Sequence, residues 1–457
     1  MMIARRTVLG AGVLAAIWAT SRMGTGRAEQ AAIEPDGFRL IEAGPASVKL
    51  APGGVETQGL GYDGQTPGPA LRMRLGEELK LRLLNKLDAP TTLHWLGLRI
   101  ANSTAGIGDL TQAPVAPAGR FDYVLKPPDA GFALYRPHVI GAAAQIARGL
   151  YGPIVVEEAS PPEIDLEAIV VLQDWRLDSD GEVEKAPMKP GEARLGQVLA
   201  ANGAPTPFTL SPPPGGRVRL RLANASVARI MTISIEGVKP TIIAIDGQPS
   251  EPFEPLRNQF PIGPAARFEL MFDMPRETGA AVRFTLKGGE ASEIADEPDR
   301  VALVFTASEA PPSPARPRIA GLPPNPLLPK EIDLARALRF DVALAGGAGA
   351  PLTLNGQTIT GPWPEKPAFR APRNSPVTLG VLNKTSTIQA MRLGGHVGRL
   401  LHPLDDGWEP YWRDNVLVPP GKTAHLAFVA DNPGRWPIES ANPDFADSGL
   451  RTYFEVG

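Results

Sequence analysis

The feature that most constrains this chain is a unit that occurs three times. A turn followed by strands is written Asp63-Gly64-Gln65-Thr66-Pro67, then Asn202-Gly203-Ala204-Pro205, then Asn355-Gly356-Gln357, and the glycines lie 139 and 153 residues apart. That spacing is domain-sized. Each turn leads into a strand of alternating type that ends in asparagine: Leu79 to Asn85, Val218 to Asn224, and Val377 to Asn383. A period near two buries one face and wets the other. A second repeated element, Pro117 to Phe121, Gly263 to Phe268 and Pro419 to Thr423, opens a further strand that closes at a proline turn. The 48 glycines and 50 prolines among 457 residues also exceed what a helical bundle tolerates. The expectation is an all-β chain of three β-sandwiches, spanning 29–160, 161–312 and 313–457, with breaks in the proline-rich joins at 159–162 and 311–329. A short connecting helix is expected between Leu327 and Leu338.

The first 28 residues stand apart from that fold. Arg5-Arg6 precedes an apolar run through Ala19, and Gly26-Arg27-Ala28 offers small residues where signal peptidase cuts. The run is too short to span a bilayer stably, and the paired arginines resemble a twin-arginine export signal. The expected mature protein is periplasmic and crosses no membrane, with an uncleaved basic anchor as the alternative. Residues 1–28 hold four arginines and no acid, so their removal takes the formal net charge from −3 to −7. Such a balance disfavours a nucleic-acid partner. Cysteine is absent and histidine numbers five. This excludes disulfides, thiolate catalysis, iron–sulfur clusters and copper sites built on a thiolate.

Several runs together resemble the multicopper oxidases, the laccase-like family of three cupredoxin domains. His94-Trp95-Leu96-Gly97 is similar to that family's His-Trp-His-Gly strand, and Tyr135-Arg136-Pro137-His138 to its Tyr-His-X-His strand. Gln145, Arg148 to Pro153, Trp412 to Gly421 and Ala430 to Gly434 extend the likeness over nearly all of the mature chain. The resemblance implies three cupredoxin-like Greek-key β-sandwich domains. It further implies a type 1 copper held by Cys, two His and often Met, which oxidises substrate, and a three-copper cluster held by eight His, where dioxygen becomes water.

Carried over residue by residue, that ligand set is nearly gone. Leu96 and Arg136 stand at ligand positions whose partners, His94 and His138, remain. Anchored by Gly395-His396, the residues Gln389, Arg392 and Gly394 take the places of three further histidines. Anchored by Trp436 and Tyr453-Phe454, the residues Glu439, Ser440 and Ala441 replace His-Cys-His, and Phe445 and Leu450 replace the His and Met that follow. Two histidines are fewer than a protein metal site normally supplies. The expectation is that no cofactor binds and no residue is catalytic, with copper as the cofactor only if the oxidase reading below holds. The resemblance would bring Arg136, Arg392 and Glu439 to the former cluster, where ion pairing could replace the metal, since burying one such charge alone costs on the order of several kcal/mol. The alternative is a pocket opened to water.

The other polar residues have plainer readings. His94 and His138 read as neutral core histidines or as a weak residual metal site. His402 is a strand-to-turn residue, His425 faces solvent, and His396 follows the ligand positions. Asp405-Asp406-Gly407 reads as a turn and Glu157-Glu158 as solvated, because neighbours on a strand point to opposite faces. No nucleophile elbow, phosphate loop or dinucleotide fingerprint stands out. Three functions fit. One is a copper-free, non-catalytic periplasmic protein that keeps the scaffold as a surface for periplasmic or envelope proteins, resembling the copper-lacking, division-associated SufI (FtsP). Another is a copper-dependent oxidoreductase acting on phenols or metal ions with dioxygen. The third is a metal carrier using His94 and His138.

Overall fold

The computed structural model describes residues 33–50, 56–184, 188–189, 191–347, 349–402 and 407–457. The export signal over 1–28 and the Asp405-Asp406 turn lie outside the described residues.

Each repeated turn forms the same hairpin. Both residues take positive φ in every copy: 52° and 71° at Asp63-Gly64, 50° and 76° at Asn202-Gly203, 52° and 75° at Asn355-Gly356. Two consecutive positive values make a type I′ turn, whose twist matches that of the flanking strands. Across it Tyr62 pairs with Gln65, Ala201 with Ala204 and Leu354 with Gln357.

The strand that follows has the same neighbours in each copy. Leu79–Asn85 runs parallel to Arg39–Val48 and antiparallel to Arg120–Leu125. Arg217–Asn224 lies likewise between Leu166–Trp175 and Arg267–Asp273, and Pro376–Asn383 between Leu338–Gly347 and Thr423–Val429. The terminal asparagine is buried in all three and clamps the chain beyond it. Asn85 donates through Nδ2 to the carbonyls of Ala89 and Val115 (2.9 and 2.8 Å). Asn224 donates to Arg229 and Ile262 (2.8 and 3.0 Å), and Asn383 to Thr387 and Val418 (2.8 and 2.7 Å).

Among the described residues six sheets result, of four and four, seven and five, and five and five strands. Each facing pair encloses its own apolar core, with Trp95 and Tyr123 in the first, Phe272, Phe284 and Phe305 in the second, and Trp436 and Phe454 in the third. Leu96, Phe132, Leu134 and Tyr151 form a further apolar layer with Val171, Ala223 and Ala265, joining the first sandwich to the second. This is the all-β, cupredoxin-like architecture expected. No helix among the described residues is long and apolar enough to cross a membrane.

Three local expectations are corrected. No helix forms between Leu327 and Leu338: the Asp333 carboxylate accepts from the Ala335 amide (3.2 Å) to close a turn, and Leu338 opens a strand. Prolines at 323, 324, 326 and 329 disfavour helical backbone at the residues before them. The alternation holds in Leu79–Asn85 but fails in Arg217–Asn224, where every residue is buried. Arg219 and Arg221, on the face expected to be wet, donate to Glu269 at 2.6 and 2.8 Å, and Arg219 reaches Glu158 of the first sandwich at 3.2 Å. Glu158 is therefore not solvated. Burial would raise its carboxyl, but Arg219 and Arg221 outweigh that and hold it below its ordinary range. Glu157 pairs with Arg72 at 3.2 Å.

Candidate functional site

Two strand pairs from different sandwiches face each other. In the first sandwich, His94–Leu96 pairs antiparallel with Gly131–Arg136, placing His94 opposite Arg136. In the third, Gln389–Leu393 pairs antiparallel with Gly434–Ser440, placing Arg392 opposite Glu439. The two-residue period puts Leu96 on the His94 face, where it joins the apolar layer with Phe132 and Leu134.

A carboxylate at the centre binds both sandwiches. His138 Nε2 lies 2.9 and 3.0 Å from the two Glu439 oxygens, and Arg392 Nη1 donates to Oε1 at 3.1 Å. Arg392 Nη2 lies 3.1 Å from His94 Nε2, and His94 Nδ1 lies 2.6 Å from the Ala105 carbonyl. An arginine only donates. His94 Nε2 is thus the acceptor and Nδ1–H the donor, a neutral imidazole. Burial, then Arg392 and His138, push its protonation well below the usual range. Burial works to raise the Glu439 carboxyl, but the His138 imidazole with its hydrogen bond, followed by Arg392, holds it at about 2. Arg136 donates to the Ala441 carbonyl at 3.2 Å and has no ion pair with a carboxylate among the described residues. Burial and the neighbouring Arg392 draw it down to about 9.

The cluster is closed on both sides. The Trp363 ring stacks on His138, with centroids 6.0 Å apart and planes 16° apart, and its Nε1 donates to the Gly108 carbonyl at 2.9 Å. On the side of His94, a cavity with room for about one water is lined by Arg99, Arg392, His396 and Asp414. Beyond it all three sandwiches meet at Arg267, whose Nη2 donates to Asp414 at 3.1 Å, while Asp246 accepts from the Asn415 amide at 3.1 Å. Gly97 has φ +94°, and a Cβ there would stand 2.1 Å from Arg267 Nη2.

The other former ligand positions are packed with apolar and hydrogen-bonding groups. Gln389 Nε2 donates to the hydroxyls of Thr385 and Thr387, both at 3.0 Å, and the Ser440 hydroxyl accepts from the Asn442 amide at 3.2 Å. Phe445 and Leu450 belong to the apolar core of the third sandwich. Ala441 is fully buried, and a Cβ on Gly394 would stand 2.4 Å from Pro437 Cδ.

The residues expected at the junction do meet, in a different bonding pattern. Glu439 pairs with Arg392 but not with Arg136, and its side chain is 4% exposed, so the pocket has not opened to water. The two histidines belong to the network. His425 is exposed, and His396 is buried with Nδ1 3.1 Å from the Gly394 carbonyl and Nε2 accepting from the Asn432 amide at 3.3 Å. The His402 amide donates to the Gly407 carbonyl at 2.8 Å. Sequence reasoning missed Asp246 and Trp363, and it gave no role to Arg267, which lies within the repeated run Gly263 to Phe268. Asp414 stood inside a run already noted, Trp412 to Gly421, while Gly361-Pro362-Trp363-Pro364 carried no signal of its destination.

Family models described as multicopper oxidase match residues 46–161, 167–285 and 331–457. Multicopper oxidase MmcO of Mycobacterium tuberculosis is 27% identical over 493 residues, covering 97% of this chain and 90% of that protein. Copper resistance protein A of Pseudomonas syringae pv. tomato is 30% identical over 243 residues, covering 43% of this chain and 39% of that one. A crystal structure of a multi-copper oxidase from Pseudomonas thermotolerans superposes with a TM-score of 0.82 at 30% identity, over 92% of this chain and 99% of that one.

These likenesses correct the expectation that no cofactor binds: copper is the cofactor of this family, and the family evidence does not support a cofactor-free member. The donors at the junction nevertheless do not fit a copper cluster. A guanidinium cannot ligate a cation, His94 Nε2 and His138 Nε2 are engaged by Arg392 and Glu439, and among the described residues no group of three or more His, Cys, Asp or Glu could hold a metal. No reaction step is therefore derived through copper at this position. With a matching model over each of its three sandwiches and a 30% identical structure covering nearly its whole length, the chain belongs to the multicopper oxidase family.

Proposed function

We propose that the chain acts as an exported binding or scaffold protein of the cell envelope, with no oxidase turnover at the junction of the first and third sandwiches. The observation that carries this reading is the Arg392–Glu439–His138 network, which fills the position where facing strands would have to present imidazoles. Packing supports it at the other former position, where Gln389, Ser440, Phe445 and Leu450 supply neither thiolate nor imidazole. Export to the periplasm rests on Arg5-Arg6 and the apolar run behind them. The narrower form of the proposal, a part in cell division like that of SufI, is tested by whether a fluorescent fusion gathers at the septum.

Oxygen uptake separates this from the second reading, an oxidoreductase, which the names of the relatives favour. The full chain, exported by its own leader and then reconstituted with copper, is given a phenolic substrate. The proposal expects uptake equal to the buffer blank and no blue absorption band. Turnover with substrate would overturn it, whereas copper bound without turnover accords with family membership and leaves the reading intact.

A further inference from the structure

The segment joining the second sandwich to the third lies between strands Arg300–Thr306 and Leu338–Gly347, and over 311–325 it has no helix, strand, turn or bend. Along it burial repeats every third residue. Ser313 is buried, Arg316, Ile319, Leu322 and Asn325 are half-buried, and the two residues between each are exposed. Hydrogen bonds fix the inward row. The Ser313 amide donates to the Pro214 carbonyl at 2.8 Å, Arg316 Nη2 to Asp165 at 3.0 Å, and Asn325 Nδ2 to Gln248 at 3.2 Å. The Pro317 carbonyl accepts from Arg217 at 2.6 Å. A proline-rich segment without helix, strand or turn that repeats every third residue has the periodicity of a polyproline II helix.

Its outward rows differ from what a spacer requires. One row reads Pro311, Pro314, Pro317, Ala320 and Pro323, all exposed. At the rise of this helix it extends about 37 Å. The neighbouring row carries Arg318, exposed and without an ion pair among the described residues, on a chain whose formal charge is negative. The inward row and the Pro317 carbonyl hold the segment to the second sandwich, while the outward prolines stay exposed. What they present is a preformed row of rings at the three-residue repeat that grooves of aromatic side chains read, at little further cost in ordering.

We propose that this ridge docks a protein module whose aromatic-lined groove takes the prolines while an acidic side chain of the module faces Arg318. The proposal deepens the scaffold reading by giving the partner's chemistry. It is tested apart from that reading because the ridge lies on the second sandwich, away from the Glu439 junction.

The experiment places a photo-crosslinking amino acid at Ala315, at Ala320 and, as an off-ridge control, at the exposed Lys422, in the full chain within its own cells. The expected result is one protein adduct from 315 and 320 and none from 422, with the crosslinked peptide of the partner containing aromatic residues. Replacing Pro311, Pro314, Pro317 and Pro323 by alanine lowers the adduct at least tenfold at unchanged Tm, and Arg318→Glu lowers it about fivefold. If the proline variant unfolds, Arg318→Glu alone decides, because an exposed unpaired side chain does not hold the fold. Absence of an adduct, undiminished yield in Arg318→Glu, or crosslinking to lipid or to a second copy of the chain would overturn the proposal. None of these outcomes bears on oxygen uptake, so the two proposals fail separately.

Discussion

At Glu439 one carboxylate answers a histidine of the first sandwich and an arginine of the third, inside protein where neither Arg392 nor Glu439 is tolerable alone. Glu439→Gln should therefore cost about 3–5 kcal/mol in denaturant unfolding at neutral pH. The acid dependence follows from the lowered carboxyl. Its folded pKa, about 2, lies below its ordinary 4.5, so the stabilisation is complete above pH 4.5 and is lost as pH falls toward 2. The loss amounts to about 3 kcal/mol. Unfolding curves at pH 7, 4 and 3 should show a shallower acid limb in Glu439→Gln than in the parent. The neutral, buried His94 also destabilises the fold in acid, beginning near pH 6.5, and should persist in the variant. Gly97 is the other sensitive residue. Gly97→Ala forces a side chain onto Arg267 from a left-handed backbone, and should lower Tm with a loss of about 1–3 kcal/mol.

Among the elements, the strand that ends in asparagine is the repeating part, and its asparagine is the clamp. Removing one such side chain by Asn85→Ala, Asn224→Ala or Asn383→Ala takes a donor from two carbonyls and takes the acceptor from the buried amide of Leu87, Ser226 or Thr385. Each should cost about 1–3 kcal/mol, read by urea unfolding; a loss within experimental error at any of the three would mean that water replaces the amide there. These strands and their turns were legible because I′ turns demand Asn-Gly or Asp-Gly and a half-buried strand demands alternation. Arg217–Asn224 was not, since its charged face is covered by Glu158 of another sandwich, and local periodicity carries no information about a partner so far along the chain. The absent helix near Leu327 has a local cause instead, the prolines at 323, 324, 326 and 329 outweighing the apolar spacing.

Across the whole molecule, charge pairs join the sandwiches, Arg219 with Glu158, Arg267 with Asp414 and Arg99 with Asp431 at 2.7 Å, and Glu439 of the third reaches His138 of the first at 2.9 Å. The sequence located the junction because the family-like runs bring their former ligand positions together. It could not say that His138 rather than Arg136 would reach Glu439, a choice made by side-chain direction, nor that Trp363 would cover the cluster from the third sandwich. The central claim is that Arg392 and Glu439 of the third sandwich act as one buried unit, which meets the first sandwich at His94 and His138. A double-mutant cycle of Arg392→Met and Glu439→Leu in the full chain, read by denaturant unfolding at pH 7, tests it most directly. The account predicts that each single change costs about 3–5 kcal/mol and that the double variant loses at least about 2 kcal/mol less than their sum. Losses that add to within about 0.5 kcal/mol would contradict it.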